Sequence, residues 1–292
     1  MGVATVKRIF DIALCVMTIW IWGPVLIVCT LLNLIINGLP VFYVSERRVH
    51  YQRLARITKF RAMVRNADKI ANRDTIPVAD TIFLNLPIDS PLYTRLGRLF
   101  ERLCLTELPQ FLHVLMGQMS LIGNRPLPEN IVAKLRAKYP YADSRFLTKS
   151  GMTGPVQLVG RDNLPDDERL SLEIKYCRAC LESYSLRLDF LILLYTVLLG
   201  FRLIETFSVH EVEQLMNKYC RFDLTSWWDV YLQQQKRVAA WQATSASAPA
   251  GGLKPRIETV RASQHTRRTH KAPKPVTADA SFGTENVGSR RA

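Results

Sequence analysis

Negative charge is scarce in this 292-residue chain: 25 Asp and Glu stand against 39 Lys and Arg, a formal net charge of +14. The deficit turns the chain toward polyanionic partners, whether nucleic acid, an anionic membrane surface or phosphorylated small molecules. Its six cysteines are scattered, and no disulfide framework is legible. Cys177 and Cys180 form a C-x-x-C, but no second Cys pair or His pair stands at zinc spacing. That absence argues against a metal or redox site and for a reducing, cytosolic setting. No nucleic-acid recognition motif is present, which removes the first class of polyanion. From about Thr244 onward large apolar residues are nearly missing, so the tail lacks the material for a core and reads as disordered.

The most informative absence is charge between Ile12 and Ile36, "IALCVMTIWIWGPVLIVCTLLNLII". Such a run exceeds the roughly 20 residues a helix needs to cross a bilayer. It is too long for a signal-peptide core, and no small-x-small cleavage site follows it. Gly23-Pro24 sits near the middle, where proline removes a backbone donor. Basic residues flank both ends: Lys7 and Arg8 before, and Arg47, Arg48, Arg53, Arg56, Lys59 and Arg61 after. A straight span would leave one basic group on the wrong side, whereas a helix that breaks at Gly23-Pro24 and returns satisfies both. The expectation is a re-entrant membrane helix with the rest of the chain cytoplasmic.

Residues 41–63, "VFYVSERRVHYQRLARITKFRAM", alternate apolar and basic residues as short strands or a surface arm do, positioned to meet anionic headgroups. Apolar residues recur at helical spacing from Leu96 to Leu108, with Pro109 opening a new helix. Asp89-Ser90-Pro91 and Ser150 to Pro155 read as turns. Residues 167–204 read as one long or broken helix, whose apolar part "LDFLILLYTVLLGF" is too short to span a bilayer and is expected buried or interfacial. An amphipathic helical stretch follows, with Trp227-Trp228 suited to a lipid–water boundary. The fold class expected is mainly α with a few short strands. The organisation expected is a membrane helix over 1–37, a compact cytoplasmic domain over 38–207, an amphipathic helical extension over 208–243 and a basic tail over 244–292.

Five polar residues stand in otherwise apolar context: Arg61, Glu107, Arg125, Gln157 and Arg161. Singly, each has an ordinary structural explanation. Together they supply cations for phosphates and a carboxylate able to hold Mg²⁺, the hardware of phosphoryl transfer.

The order of motifs resembles one family. "KRIFD" (7–11), the proline-containing apolar segment, "GLPVFY", "ITKFRAM", "TRLGRLF", "ELPQFLHVLMGQMSLIGNRPLP", "SGMTGPVQLVGR" and "YSLRLDFLILLYTVL" follow as in the bacterial sugar transferases, the monotopic polyprenyl-phosphate glycosyl-1-phosphate transferases. The resemblance covers about residues 5–202. It implies a compact domain resting on amphipathic helices, and transfer of a sugar-1-phosphate from a UDP-sugar to undecaprenyl phosphate with release of UMP. That reaction begins capsule, exopolysaccharide or glycoprotein glycan assembly at the cytoplasmic face of a bacterial inner membrane. The partners implied are the UDP-sugar, undecaprenyl phosphate and membrane lipid, without nucleic acid; a homodimer is compatible with it.

In the family an Asp-Glu pair precedes "LPQ". The Asp attacks the β-phosphate to form a covalent phosphosugar enzyme, and the Glu helps to hold Mg²⁺. Here the Glu is Glu107, but Thr106 occupies the Asp position. A neutral hydroxyl needs a base to become a nucleophile, and a threonine phosphodiester is a poorer leaving group than an acyl phosphate. Smaller departures are Gly23-Pro24 for Ser-Pro, Ala62 for Ser, Asn124 for the first Pro of Pro-Arg-Pro, and Leu92 where an arginine is frequent. Two readings follow. One is a working transferase in which Thr106, or a carboxylate such as Asp89, replaces the nucleophile, or in which transfer goes directly to the lipid phosphate. The other is a catalytically silent relative that binds nucleotide sugar or polyprenyl phosphate as a membrane-bound scaffold.

Overall fold

A computed structural model describes residues 2–71, 81–83, 86–160 and 164–247. The tail beyond 247 and Arg161 lie outside the described residues. The architecture is mainly helical with two small two-stranded sheets.

The apolar N-terminal run forms two helices, α1 (Val3–Met17) and α2 (Ile19–Asn37). Their interruption falls at Thr18, whose hydroxyl returns to the Leu14 carbonyl at 2.7 Å. This corrects the expected break: Gly23 and Pro24 both lie inside α2. Pro24 still withholds the amide that would reach the carbonyl four residues back, but the helix continues through it. Among the described residues α2 is the one helix long and apolar enough to cross a membrane.

Polar side chains pin both helices to the rest of the protein. From α1, Lys7 pairs with Asp189 at 2.5 Å, Arg8 donates to the carbonyls of Val114 and Leu115, and Asp11 accepts from the Ser120 hydroxyl and the Leu121 amide. On α2, Trp22 stacks on Phe111 at 5.2 Å. Further along, the fully buried Asn33 donates to the carbonyls of Val41 and Arg61. The opposite face of α2 stays bare: Trp20, Ile21, Ile27, Val28, Leu31, Ile35 and Ile36 are all exposed.

The alternating basic stretch becomes an antiparallel hairpin of β1 (Phe42–His50) and β2 (Arg53–Phe60), with Tyr43 opposite Lys59 and Arg47 opposite Ala55. Alternation places Tyr43, Ser45, Arg47 and Lys59 on one face. Phe42 and Phe60 belong to the other face and stack on each other. The short α3 (Ala67–Ile70) precedes α4 (Arg95–Arg102), which is capped by the Thr94 hydroxyl on the Gly97 amide. Gly97 is required by close approach: a Cβ there would lie 1.8 Å from the Ala62 carbonyl oxygen. That contact brings the "RAM" and "TRLG" motifs together.

The helix expected to run to Leu108 instead ends at Arg102. Cys104 takes a left-handed conformation (φ 55°), and a 3-10 turn covers Leu105–Glu107. Then come α5 (Gln110–Leu115), β3 (Ser120–Ile122), α6 (Glu129–Lys138), a 3-10 turn over Ala142–Phe146, β4 (Gly151–Thr153) and α7 (Pro155–Val159). Residues 150–155, expected as a tight turn, instead contain the strand Gly151–Thr153 and the start of α7. β4 runs parallel to β3, and Gly151 and Gly154 are there because a Cβ on either would strike the Gly123 backbone, at 2.1 and 2.4 Å. No positive φ is involved.

The long helical region breaks into α8 (Asp166–Glu182) and α9 (Leu186–Gly200), the latter capped by Ser185. Cys177 and Cys180 are buried on α8, and burial pushes the Cys180 thiol up to about 12. α10 (Val209–Tyr219) and α11 (Leu224–Ser247) complete the fold. Val212 and Met216 of α10 join the main core. Trp227 is half-buried and Trp228 buried. They cluster with Tyr141 and Tyr231 over the core between α6 and α8, and Trp228 is 9% exposed.

Candidate active site

Glu107 ends the 3-10 turn, and its carboxylate oxygen Oε1 receives Lys59 Nζ at 2.5 Å and Arg125 at 2.8 Å. Lys59 comes from β2 and Arg125 from the loop after β3. Arg47, on the same hairpin face as Lys59, bonds to the Ser45 hydroxyl and the Pro126 carbonyl and feels both Arg125 and Glu107. Two cations therefore contact one acid, with Arg47 near enough to feel its charge. Burial, reinforced by Arg125 and opposed by Glu107, pulls the Lys59 ammonium down to about 7. Burial and then Arg125 bring Arg47 to about 10. Both depressions reflect surplus positive charge in a poorly hydrated place, relieved by an incoming anion.

Buried polar groups hold this cluster. Arg145, fully buried, forms a two-pronged ion pair with Glu173 at 2.5 and 2.7 Å and donates to the Arg125 carbonyl at 3.0 Å. The Asn124 amide donates to the carbonyls of Arg145 and Glu173. Arg48 braces the hairpin through two bonds to Glu129 and an amide bond to the Leu127 carbonyl.

The structure thus brings Glu107 and Arg125 together, as their apolar context suggested. Arg61 is used differently. Its guanidinium donates to the carbonyls of Asn37, Gly38 and Pro40, closing the end of α2. Gln157 sits in the first turn of α7, just past β4, as Arg125 sits just past β3. The parallel pair thereby delivers both loops from the same end. Thr106 is 5% exposed, and its hydroxyl donates to Glu101 at 2.9 Å. Asp89 lies in an exposed turn before Pro91. Sequence reasoning missed Lys59 and Arg47 as site residues, although their shared parity in the alternating stretch was a usable signal. Glu101 carried no signal, because residues five apart do not share a helix face.

On the Phe42 face of the hairpin, opposite to that of Lys59 and Arg47, an apolar groove of about 360 Å³ runs between α2 and α5, lined by Leu26, Ile27, Leu31, Phe42, Leu112 and Met116. A cluster of cations around one acid, together with a long apolar helix whose outer face is bare, suits a protein associated with a membrane and equipped to receive phosphorylated groups. The sequence comparison agrees with that class. Residues 3–203 match the bacterial sugar transferase family, and the chain belongs to it.

Among curated relatives, a UDP-N-acetylgalactosamine-undecaprenyl-phosphate N-acetylgalactosaminephosphotransferase of Aeromonas hydrophila is 30% identical over 68% of this chain and 45% of its own length. The exopolysaccharide production protein ExoY of Sinorhizobium fredii is 27% identical over 65% of this chain and 83% of its own. An undecaprenyl-phosphate galactose phosphotransferase of Salmonella typhimurium is 31% identical over 59% and 36%. The chain spans less than half the length of the first and third of these relatives.

Proposed function

We propose that this protein transfers a sugar-1-phosphate from a UDP-sugar to undecaprenyl phosphate at the cytoplasmic face of a bacterial inner membrane, initiating polysaccharide or glycan assembly. The observation that carries the reading is the contact of Lys59 and Arg125 with Glu107, with Arg47 near enough to feel its charge. Preformed cations of this kind neutralise the donor diphosphate and the lipid phosphate, and stabilise charge that shifts onto the departing UMP. The apolar groove between α2 and α5 suits isoprenoid units of the acceptor. Because the pinned residues of α1 and α2 lie on either side of Thr18, the pair reads as a re-entrant hairpin whose bare face meets acyl chains.

Among the described residues no group of three or more His, Cys, Asp or Glu could hold a metal. That donor set fits Mg²⁺ in one way, since Mg²⁺ in phosphoryl-transfer sites is held by one or two carboxylates plus substrate phosphates. Glu107 would be the protein ligand. When bound, the ion would neutralise charge on the bridging phosphate oxygens. Lys59 and Arg125, which contact Glu107, would then lie within reach of the donor phosphates.

The test is UMP release by detergent-solubilised protein given undecaprenyl phosphate, Mg²⁺ and a panel of UDP-sugars. Lipid-dependent release that Glu107→Gln abolishes is the expected result, with Mn²⁺ electron paramagnetic resonance reporting metal binding independently of turnover. Thr106 in the place of a carboxylate favours a second reading, the silent scaffold. That reading takes over if the native chain releases nothing and Thr106→Asp does.

A further inference from the structure

The break at Cys104 turns the chain back on itself, so that the Thr106 hydroxyl meets the Glu101 carboxylate from the preceding helix at 2.9 Å. Thr106 is nearly sealed from solvent, Glu101 is half-buried, and the next residue is the acid on which the cations converge. We propose that Thr106 and Glu101 together replace the single carboxylate nucleophile: Thr106 Oγ1 is the attacking atom and Glu101 is its general base and acid. The proposal rests on the transferase reading above.

The pair answers both objections to a threonine. In the first half-reaction Oγ1 forms a bond to the donor's β-phosphorus as the bond from that phosphorus to the α-phosphate oxygen breaks. UMP departs with the electron pair, and the Oγ1 proton moves to Glu101 Oε2. In the second, an oxygen of the lipid phosphate attacks the same phosphorus, the Oγ1–P bond breaks, and Glu101 returns the proton to Oγ1. The group leaving is then an alcohol and not an alkoxide. Protons and charge balance without any further reactant, and a positioned carboxylate in this role contributes about 10²–10⁴-fold.

A purely structural role for the hydrogen bond makes different predictions. Glu101→Gln keeps the shape and still accepts from Thr106, but cannot take its proton. Native protein given a UDP-sugar without lipid is expected to gain the mass of one sugar phosphate on Thr106, in a linkage that survives hydroxylamine. An acyl phosphate would not survive. Glu101→Gln is expected to bind UDP-sugar with native affinity, to lose UMP release by about 100-fold or more, and to lose the acidic limb of the pH–rate profile. Thr106→Ser is expected to keep measurable release. UMP release by Glu101→Gln within threefold of native, or a hydroxylamine-labile adduct, overturns the pair while leaving the transferase standing. No release from native protein with any donor overturns both.

Discussion

Replacing Glu173 by Gln tests how the cationic cluster is held. Arg145 and Glu173 are 0% and 1% exposed, and their two contacts of 2.5 and 2.7 Å leave no room for water between them. Arg169 lies 3.6 Å from the same carboxylate. Glu173→Gln preserves the volume and removes the charge, so that Arg145 remains buried opposite a neutral amide with Arg169 close by. Breaking a buried pair from one side costs about 3–5 kcal/mol, because the remaining ion has neither water nor counter-charge. For a chain of this size that corresponds to a melting shift of about 6–20 °C. Arg145 also holds the Arg125 carbonyl, so UMP release should fall with stability. The double variant Arg145→Met/Glu173→Leu, which removes both charges of the bidentate pair and leaves only Arg169 without this carboxylate, should recover part of the loss. Denaturant unfolding of detergent-solubilised protein, followed by tryptophan fluorescence, measures all three. A loss below about 1 kcal/mol in Glu173→Gln, or a double variant less stable than Glu173→Gln, would refute the reasoning.

Gly97→Ala places a Cβ 1.8 Å from the Ala62 carbonyl oxygen, a backbone clash that no rotamer relieves. It should cost about 1–3 kcal/mol and push α4 off the hairpin; a melting temperature unchanged from native would contradict the contact. For Lys59, the folded ammonium titrates near 7, whereas an unfolded lysine titrates near about 10.4. Between those values the unfolded chain holds a proton the folded chain lacks, so this residue makes stability rise with pH across that window. Lys59→Met should lack the increment; parallel stability curves for native and variant from pH 6.5 to 9.5 would count against the assignment.

Glu107 and Arg125 were legible because a charged side chain amid apolar residues needs a partner, and each proved to be the other's. Lys59 and Arg47 were visible as basic residues but suggested lipid headgroups, since a period of two says which residues share a face and not what that face meets. Proline is a strong local signal, and it outweighed Thr18, where the interruption occurs. A threonine whose hydroxyl satisfies the carbonyl four residues back looks, in sequence, like any polar residue in an apolar run. The glycines at 151 and 154 suggested a turn, although their role is to let two strands and a helix start come within backbone contact. The tryptophans at 227 and 228 suggested an interface, and the aromatic contacts they make were not visible in the sequence. Tyr141, far away in sequence, and the core beneath it bring them inward.

Asn33 ties the last turns of the apolar helix to the carbonyls of Val41 and Arg61, and the Arg61 side chain closes that helix's end. The anchor and the domain are therefore halves of one cooperative structure. During synthesis both helices precede their partners: Asn33 waits for the two ends of the hairpin, and Lys7, Arg8 and Asp11 wait for residues between Val114 and Asp189. Docking of the apolar helices and folding of the domain are therefore coupled through these buried contacts. Grafting an unrelated membrane helix onto residue 38 would supply an anchor of the right greasiness and still leave the hairpin backbone without its buried amide.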